Sequence, residues 1–129
     1  MEFETMHLPA ARDDVAPDGF DVRVLLRLER GSMAHFELGP GEASGAVSHR
    51  TVDEIWFVLS GNGEMWRQQG EREEVVRLVA GDCLSIPVGT RFQCRCLGDK
   101  SLAVIGVTMP AWPGPNEAYA VSGRWPRTV

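Results

Sequence analysis

Short runs rich in β-branched and aromatic residues follow one another along the chain, and almost nothing repeats with helical period. Each run ends near Gly, Pro or Asn, residues that favour turns. This pattern predicts an all-β domain, a sandwich or barrel, without a helix longer than about two turns. The predicted strands are Asp21–Leu28, Met33–Leu38, Glu54–Leu59, Glu64–Arg67, Glu74–Val79, Cys83–Ile86, Arg91–Cys96 and Leu102–Met109.

Glycine-containing triplets mark the turns between these strands. Gly61-Asn62-Gly63 accepts positive φ angles at little cost, and this predicts a tight hairpin. Gln69-Gly70-Glu71 and Gly39-Pro40-Gly41 mark two more turns. Pro87-Val88-Gly89 predicts a sharp corner, because a fixed φ is followed by a permissive one.

The two ends of the chain lack strand patterning. The first twenty residues and the proline-rich segment from Pro110 onward are expected to be loops, since proline cannot donate to a β-ladder. Trp112 and Trp125 would be unusual in a free tail, so we expect them to fold back over the barrel or onto a partner subunit. The prediction is one domain over residues 1–129, with a core at about 21–109 and two arms packed on it.

Composition narrows the classes of partner. The chain has 13 basic and 18 acidic residues, a net charge of −5, and its single lysine is Lys100. Nucleic-acid binding depends on clustered Lys and Arg, so no nucleic-acid partner is expected. The acids of Met1–Glu4 do not resemble a signal peptide, and the apolar stretch Leu102–Met109 is too short to span a bilayer. We therefore expect a cytoplasmic protein without a membrane partner, whose three cysteines stay reduced.

Two spaced motifs resemble those of the cupin superfamily. Glu54, six residues and Gly61 match the end of the first cupin motif. Gly81, five residues, Pro87, one residue and Gly89 match the second motif up to its final histidine, which Phe92 replaces here. The resemblance implies a single double-stranded β-helix, the cupin or jelly-roll barrel, and it agrees with the strands predicted from Asp21 to Met109.

The resemblance also implies where a metal would bind. Metal-binding cupins present two histidines and a glutamate from the first motif and one histidine from the second. His49 and Glu54 match two of these positions, whereas Val47 and Phe92 occupy the other two. Since firmly held divalent ions normally use three or four ligands, we expect no cofactor, with a divalent transition ion held by His49 and Glu54 as the alternative.

Three further side chains, His35, Cys94 and Cys96, are candidates for the missing metal ligand. On an alternating strand His35 faces away from the apolar side, so we expect it to face solvent or a subunit contact. Cys94 and Cys96 share the face of Phe92 and are expected to be buried as small apolar residues, with a thiolate ligand as the alternative.

Without a metal, His49 and Glu54 form a candidate catalytic acid–base pair. Partial burial would move both pKa values toward neutrality, which suits proton transfer. The alternative is structural: Glu54 hydrogen-bonds His49 or a backbone group at a strand end.

Period-two alternation assigns side chains to a candidate substrate pocket. If Glu54 points inward, Trp56 and Val58 do so too, and Phe92 joins them from the second motif. Such a lining suits an apolar or aromatic small molecule, although it is equally typical of a plain core. Arg50 and Arg91 were assigned to the pocket mouth, where they would reach a carboxylate.

The favoured function is a small cupin that binds an apolar or aromatic molecule and catalyses metal-independent isomerisation, elimination or cyclisation through His49 and Glu54. The alternatives are a metal-dependent cupin dioxygenase and a non-catalytic binding module, because one fold hosts many functions. A homodimer is expected, since Trp112, Trp125 and the first strands need cover and two-fold pairing is the commonest assembly.

Overall fold

A computed structural model describes residues 1–129 of the chain, which form eleven β-strands and no helix. The strands are β1 (Asp14–Val15), β2 (Asp21–Leu28), β3 (Gly31–Leu38), β4 (Val47–His49), β5 (Asp53–Ser60), β6 (Asn62–Gln69), β7 (Arg72–Val79), β8 (Cys83–Ile86), β9 (Arg91–Leu97), β10 (Leu102–Met109) and β11 (Ala118–Ala120). The all-β prediction is confirmed, and each of the eight predicted strands is present. The structure contains no helix of the length and apolarity needed to cross a membrane.

The strands pair antiparallel into two sheets that face each other. One sheet has the order β1-β2-β3-β10-β5-β8 and the other β11-β4-β9-β6-β7. Strand β5 shows why they close on one another, because its buried residues alternate with exposed ones along the whole strand. The core between the sheets includes Phe20, Trp56, Met65, Phe92 and Val104. This is the double-stranded β-helix barrel that the sequence predicted.

The predicted hairpin at Gly61-Asn62-Gly63 is wrong in one respect. Gly61 has the expected positive φ of 89°, but the turn joins β5 to β6, which lie in different sheets. The chain therefore crosses the barrel edge instead of folding back on itself. A Cβ at Gly61 would collide with the carbonyl oxygen of Ser101, so the close approach of another backbone adds to the need for glycine. The turn at Gln69-Gly70-Glu71 does close a hairpin, in which Gln69 pairs with Arg72.

The C-terminal arm packs on the five-stranded sheet. Strand β11 pairs with β4, and the buried side chain of Gln93 joins the following segment to the barrel. Its Nε2 donates to the carbonyl oxygens of Ser44 and Trp125, both at 2.8 Å, and its Oε1 accepts from the backbone N–H groups of Arg124 and Trp125, both at 2.9 Å. A Cβ at Gly123 would lie 2.5 Å from Gln93 Oε1, so glycine permits this close contact.

The interpretation of His35 as a solvent-facing residue is wrong. His35 does point away from the barrel interior, but it is buried beneath Arg23 of the neighbouring strand, whose Nη1 lies 3.4 Å from His35 Nδ1. Arg23 is held in turn by the carbonyl oxygens of Pro9 and Ala10 in the N-terminal arm, at 2.8 and 3.0 Å. Burial, followed by the charge of Arg23, lowers the pKa of His35.

The substitution Gln93→Ala is expected to lower the free energy of unfolding by about 2–4 kcal/mol. It leaves the backbone groups of Ser44, Arg124 and Trp125 without their hydrogen-bond partner. Urea unfolding followed by tryptophan fluorescence measures the loss. Gln68→Ala is the matched control, because the Gln68 side chain makes no hydrogen bond within the protein, and it should change stability by less than about 0.5 kcal/mol. Equal effects of the two substitutions would contradict the role given to Gln93.

Candidate functional site

His49 and Glu54 reach the barrel interior from two neighbouring strands. His49 is the last residue of β4, and Glu54 is the second residue of β5, so a loop of three residues and Asp53 separate them. On β5 the side chains of Glu54, Trp56 and Val58 are buried, while Ile55 and Phe57 are exposed. Glu54 therefore points inward, and Trp56 and Val58 share its face of the strand, as alternation predicted for that case.

The loop between the two residues is fixed from the C-terminal arm by Glu117. Its buried carboxylate accepts hydrogen bonds from the backbone N–H groups of Thr51, at 2.6 Å, and Val52, at 3.2 Å, and from the Thr51 hydroxyl. Burial alone would raise the pKa of Glu117, but these hydrogen bonds outweigh it and leave the pKa below its usual value. Sequence analysis missed this residue because its partners lie 65 and 66 positions away.

The two side chains of the pair lie close together in a dry environment. His49 Nε2 is 3.9 Å from Glu54 Oε1, too far for a hydrogen bond, and both side chains are about 95% buried. Burial raises the pKa of Glu54 to about 8, with the Trp56 indole acting against this shift and the Asp18 carboxylate adding to it. Burial also lowers the pKa of His49, against the opposing charge of Glu117. At neutral pH the pair is therefore a protonated carboxylic acid beside a neutral imidazole.

Several polar atoms around the pair have no hydrogen-bond partner. His49 Nδ1 and Trp56 Nε1 are both buried and unpaired. The Trp56 indole faces the Glu54 carboxyl closely enough to lower its pKa, yet it does not meet the geometry of a hydrogen bond. Unpaired donors and acceptors in a barrel interior are costly to maintain, and they are typical of a site that a ligand completes.

Asp18 is a second interior carboxyl group that the sequence did not single out. Its Oδ1 is closed off from solvent and unpaired, although the residue as a whole is only partly buried. Burial raises the pKa of Asp18 to about 6, against hydrogen bonds from nearby backbone N–H groups and the charge of Arg127. Asp18 precedes Gly19, and such a pair is normally interpreted as a turn, so no local signal indicates an interior position.

The aromatic residues assigned to the pocket meet inside the barrel. The His49 ring lies edge-on between the rings of Phe92 and Trp112. The centroid of each of these two rings is 5.2 Å from the centroid of the His49 ring. The Trp56 ring packs edge-on against two other rings, with centroid separations of 6.3 Å to Phe92 and 5.6 Å to Phe20. Trp56, Val58 and Phe92 are no more than 3% exposed, so in this structure they fill the interior as core residues.

The two arginines assigned to the pocket mouth lie apart on the surface. The Arg50 guanidinium lies over the Tyr119 ring at 4.4 Å, and its Nε donates to the carbonyl oxygen of Asn116. Arg91 lines a separate cleft beside Gly70 and Gly89. Arginine side chains are long enough to turn either way from an exposed strand end, so the sequence could not fix their direction.

The residues present do not fit a firmly bound divalent ion. Val47 and Phe92 pair across β4 and β9 in the positions of the two missing imidazoles, and both are buried in the core. No group of three His, Cys, Asp or Glu side chains is arranged to hold a metal. Cys94 is fully buried, and burial raises the pKa of its thiol, which disfavours a thiolate ligand.

Comparison with known proteins agrees with this architecture. Residues 34–108 match the cupin domain family, so the chain belongs to that family. None of the curated proteins matches the sequence.

Solved structures of low sequence identity share the fold. An uncharacterised conserved protein with a double-stranded β-helix domain from Klebsiella pneumoniae is 18% identical, with a TM-score of 0.72 over 95% of this chain and 100% of that one. KdgF from Halomonas sp. is 21% identical, with a TM-score of 0.66 over 77% and 86% of the two chains. Oxalate decarboxylase from Bacillus subtilis is 13% identical, with a TM-score of 0.74 over 93% of this chain and 33% of that one. At these identities the likeness concerns the fold alone.

The raised pKa of Glu54 predicts how stability depends on pH. The unfolded chain loses this proton near pH 4.5, whereas the folded protein keeps it until about pH 8. Stability therefore falls as pH rises through this window, and Glu54→Gln should remove the fall. Asp18 and the histidines are the same in both proteins, so urea unfolding between pH 6.5 and 8 should show a steeper decline for the parent than for the variant.

Glu71→Gln, at the exposed tip of the β6–β7 hairpin, is the matched control and should keep the slope of the parent. Stabilities of the parent and of Glu54→Gln that change in parallel over this range would show that Glu54 is ionised in the folded protein.

Restoring the two missing imidazoles should create a metal site. The double substitution Val47→His with Phe92→His adds two donors to His49 and Glu54 at the spacings of metal-binding cupins. We expect this variant to retain zinc after dialysis, despite losing about 3 kcal/mol of packing at Phe92. Metal content is measured beside the parent and the single substitution Val58→His, which adds one buried imidazole away from these positions. A parent that retains one equivalent of metal would contradict the ligand count.

Proposed function

We propose that this cupin binds an apolar or aromatic small molecule and transfers a proton on it, without a metal, through His49 and Glu54. The observation that carries the proposal is the buried pair itself: a neutral imidazole and a protonated carboxylic acid whose facing atoms are 3.9 Å apart. An enzyme that enolises a carbonyl compound needs a base and an acid together in these protonation states.

The proposed step uses both groups at once. The Nε2 atom of His49 accepts the proton from a carbon next to a carbonyl group, while Glu54 donates its proton to the carbonyl oxygen. The substrate becomes its enol, leaving an imidazolium beside a carboxylate. In a β,γ-unsaturated carbonyl compound this enol is a dienol, so the proton on His49 can return to the γ carbon while the enol proton returns to Glu54. The product is the α,β-unsaturated isomer, and the pair is restored.

The surroundings of His49 support an aromatic or apolar substrate. Phe92 and Trp112 flank its ring edge-on, so a flat apolar molecule would meet aromatic surface on both sides of the base. Phe92 is buried, whereas Trp112 belongs to the C-terminal arm and is only partly covered.

A non-catalytic binding module is the second candidate, because Trp56, Val58 and Phe92 fill the interior and leave a substrate little room unless they move. The dioxygenase alternative has less support, since only His49 and Glu54 of the metal ligands are present and no third donor joins them.

His49→Gln should abolish proton transfer while leaving the fold intact. The assay measures deuterium incorporation from D₂O into a panel of aromatic and apolar carbonyl compounds, followed by mass spectrometry. We expect at least about a hundredfold loss, the usual contribution of a general base. His35→Gln is the matched control, because it replaces a buried histidine on the outer side of the barrel, and it should retain the exchange.

Two outcomes would count against the catalytic proposal. Exchange that survives in the His49 variant would assign the chemistry elsewhere. Compounds that bind the parent but never exchange would favour the binding module instead.

A further inference from the structure

A polar cleft opens beside the second cupin motif, between the β6–β7 hairpin and the segment from Ser85 to Thr90. Its volume is about 240 Å³, and the residues that matter here are Arg67, Gln69, Arg72, Glu74 and Thr90. A second cleft of about 280 Å³, which Arg91 lines, shares Gln68 with it. We call these two adjoining spaces the mouth cleft.

The charges of the mouth cleft are opposite in sign to those of the whole protein. Arg67, Arg72 and Arg91 line it against one carboxylate, Glu74, although the chain carries a net charge of −5. Only Arg67 is paired with a carboxylate, since Nη2 lies 2.6 Å from Glu74 Oε1. Arg72 and Arg91 take part in none of the ion pairs of the structure. Two arginines without carboxylate partners thus face the same space.

Arg67 is held in place for recognition. Its Nη1 donates to the carbonyl oxygen of Ser85 at 2.7 Å, which joins the five-stranded sheet to β8 of the other sheet. Glu74 holds Nη2, so the guanidinium is fixed at two nitrogens. The third nitrogen, Nε, is buried and has no hydrogen-bond partner. A guanidinium fixed in this way holds a positive charge beside the cleft, and this charge suits an anionic group.

The mouth cleft adjoins the proposed catalytic pair. Arg67 of β6 is the direct register partner of Phe92 on β9, and the Phe92 ring lies 5.2 Å from the His49 ring. One aromatic side chain therefore separates the arginine from the base. A molecule with an anionic group in the cleft would direct its apolar part toward Phe92 and His49.

We propose that the mouth cleft binds the carboxylate of the substrate, which makes that substrate a small aromatic or apolar carboxylic acid. The proposal rests on the proposed function for the identity of the ligand as substrate, while binding of the carboxylate itself is measured separately. Planar guanidinium groups match carboxylate and phosphate oxygens alike, so the shared chemistry is an oxyanion. Because the proposed substrate is aromatic or apolar, a carboxylate attached to such a group is favoured over inorganic phosphate.

The test titrates the whole protein with benzoate and follows backbone amide shifts by NMR. Benzamide, which has the same shape without the charge, and inorganic phosphate are titrated in parallel. We expect benzoate to bind with shifts centred on Arg67, Arg72 and Arg91. Arg72→Gln and Arg91→Gln should each weaken benzoate about tenfold or more, the loss of one charge-assisted contact. Both residues are exposed, so their replacement should not unfold the chain.

Arg77→Gln is the matched control, because it removes the same charge from β7 without lining the cleft. The affinity of this variant for benzoate should stay within about twofold of the parent's, because the substitution removes only a charge that is distant from the cleft. Benzamide binding equal to that of benzoate, or equal weakening by the three arginine variants, would overturn the proposal. Phosphate binding tighter than that of benzoate would overturn the carboxylate assignment.

His49→Gln separates this inference from the proposed function. Benzoate binding that persists in this variant, together with loss of deuterium exchange, supports both proposals. If the parent catalyses a His49-dependent exchange that Arg72→Gln and Arg91→Gln leave unchanged, the carboxylate assignment fails and the proposed function stands. If benzoate binds as expected but exchange does not depend on His49, the proposed function fails and the mouth cleft remains a carboxylate site.

Discussion

Burial of the Glu54 carboxyl group between two sheets is the constraint on which the chemistry of this barrel depends. A carboxylate in that position has neither a cation nor a short hydrogen bond to compensate for lost hydration, so the protonated form is favoured. The same exclusion of water keeps the neighbouring imidazole of His49 neutral. An acid and a base can therefore coexist 3.9 Å apart without neutralising each other by proton exchange. Burial of these two ionisable groups lowers the stability of the folded protein. Such a loss of stability is common at functional sites.

The C-terminal arm contributes as much to the site as the barrel strands do. Glu117 fixes the loop between His49 and Glu54, Trp112 lies against the His49 ring, and Gln93 anchors the end of the arm to β9. Trp112 is itself positioned by Ser32 Oγ, which accepts from its backbone N–H at 2.9 Å, and by Arg27, which donates to its carbonyl oxygen at 2.5 Å. Loosening of this arm would change the surroundings of the base directly. A segment that carries no strand pattern thus completes the environment of the proposed catalytic pair.

Two positions that hold metal ligands in metal-binding cupins are occupied by apolar core residues in this protein. Val47 and Phe92 contact each other across two strands where imidazoles would converge, and the apolar pair joins the interior to the aromatic cluster. What remains of the ligand set, His49 and Glu54, is too small for a firmly held divalent ion, and these two residues form the proposed acid–base pair. Cationic side chains lie beyond Phe92, outside the core, where Arg67, Arg72 and Arg91 surround the mouth cleft. The interior around Phe92 is thus apolar, while the three arginines lie outside it.

The sequence by itself determined the strands, because alternation of period two and glycine turns are local properties, and its resemblance to the cupin motifs implied the barrel. Three short strands, β1, β4 and β11, were not predicted. Strand β4, which carries His49, has only three residues and therefore no alternation to detect. Tertiary structure alone decided that Gly61 joins two sheets, that Arg23 covers His35, and that Asp18 enters the interior. It also decided which arginines share a cleft, since Arg67 and Arg72 line the same space while Arg50 turns toward Tyr119. These outcomes depend on contacts between residues distant in sequence, and the direction of a long side chain is settled only when its neighbours are in place.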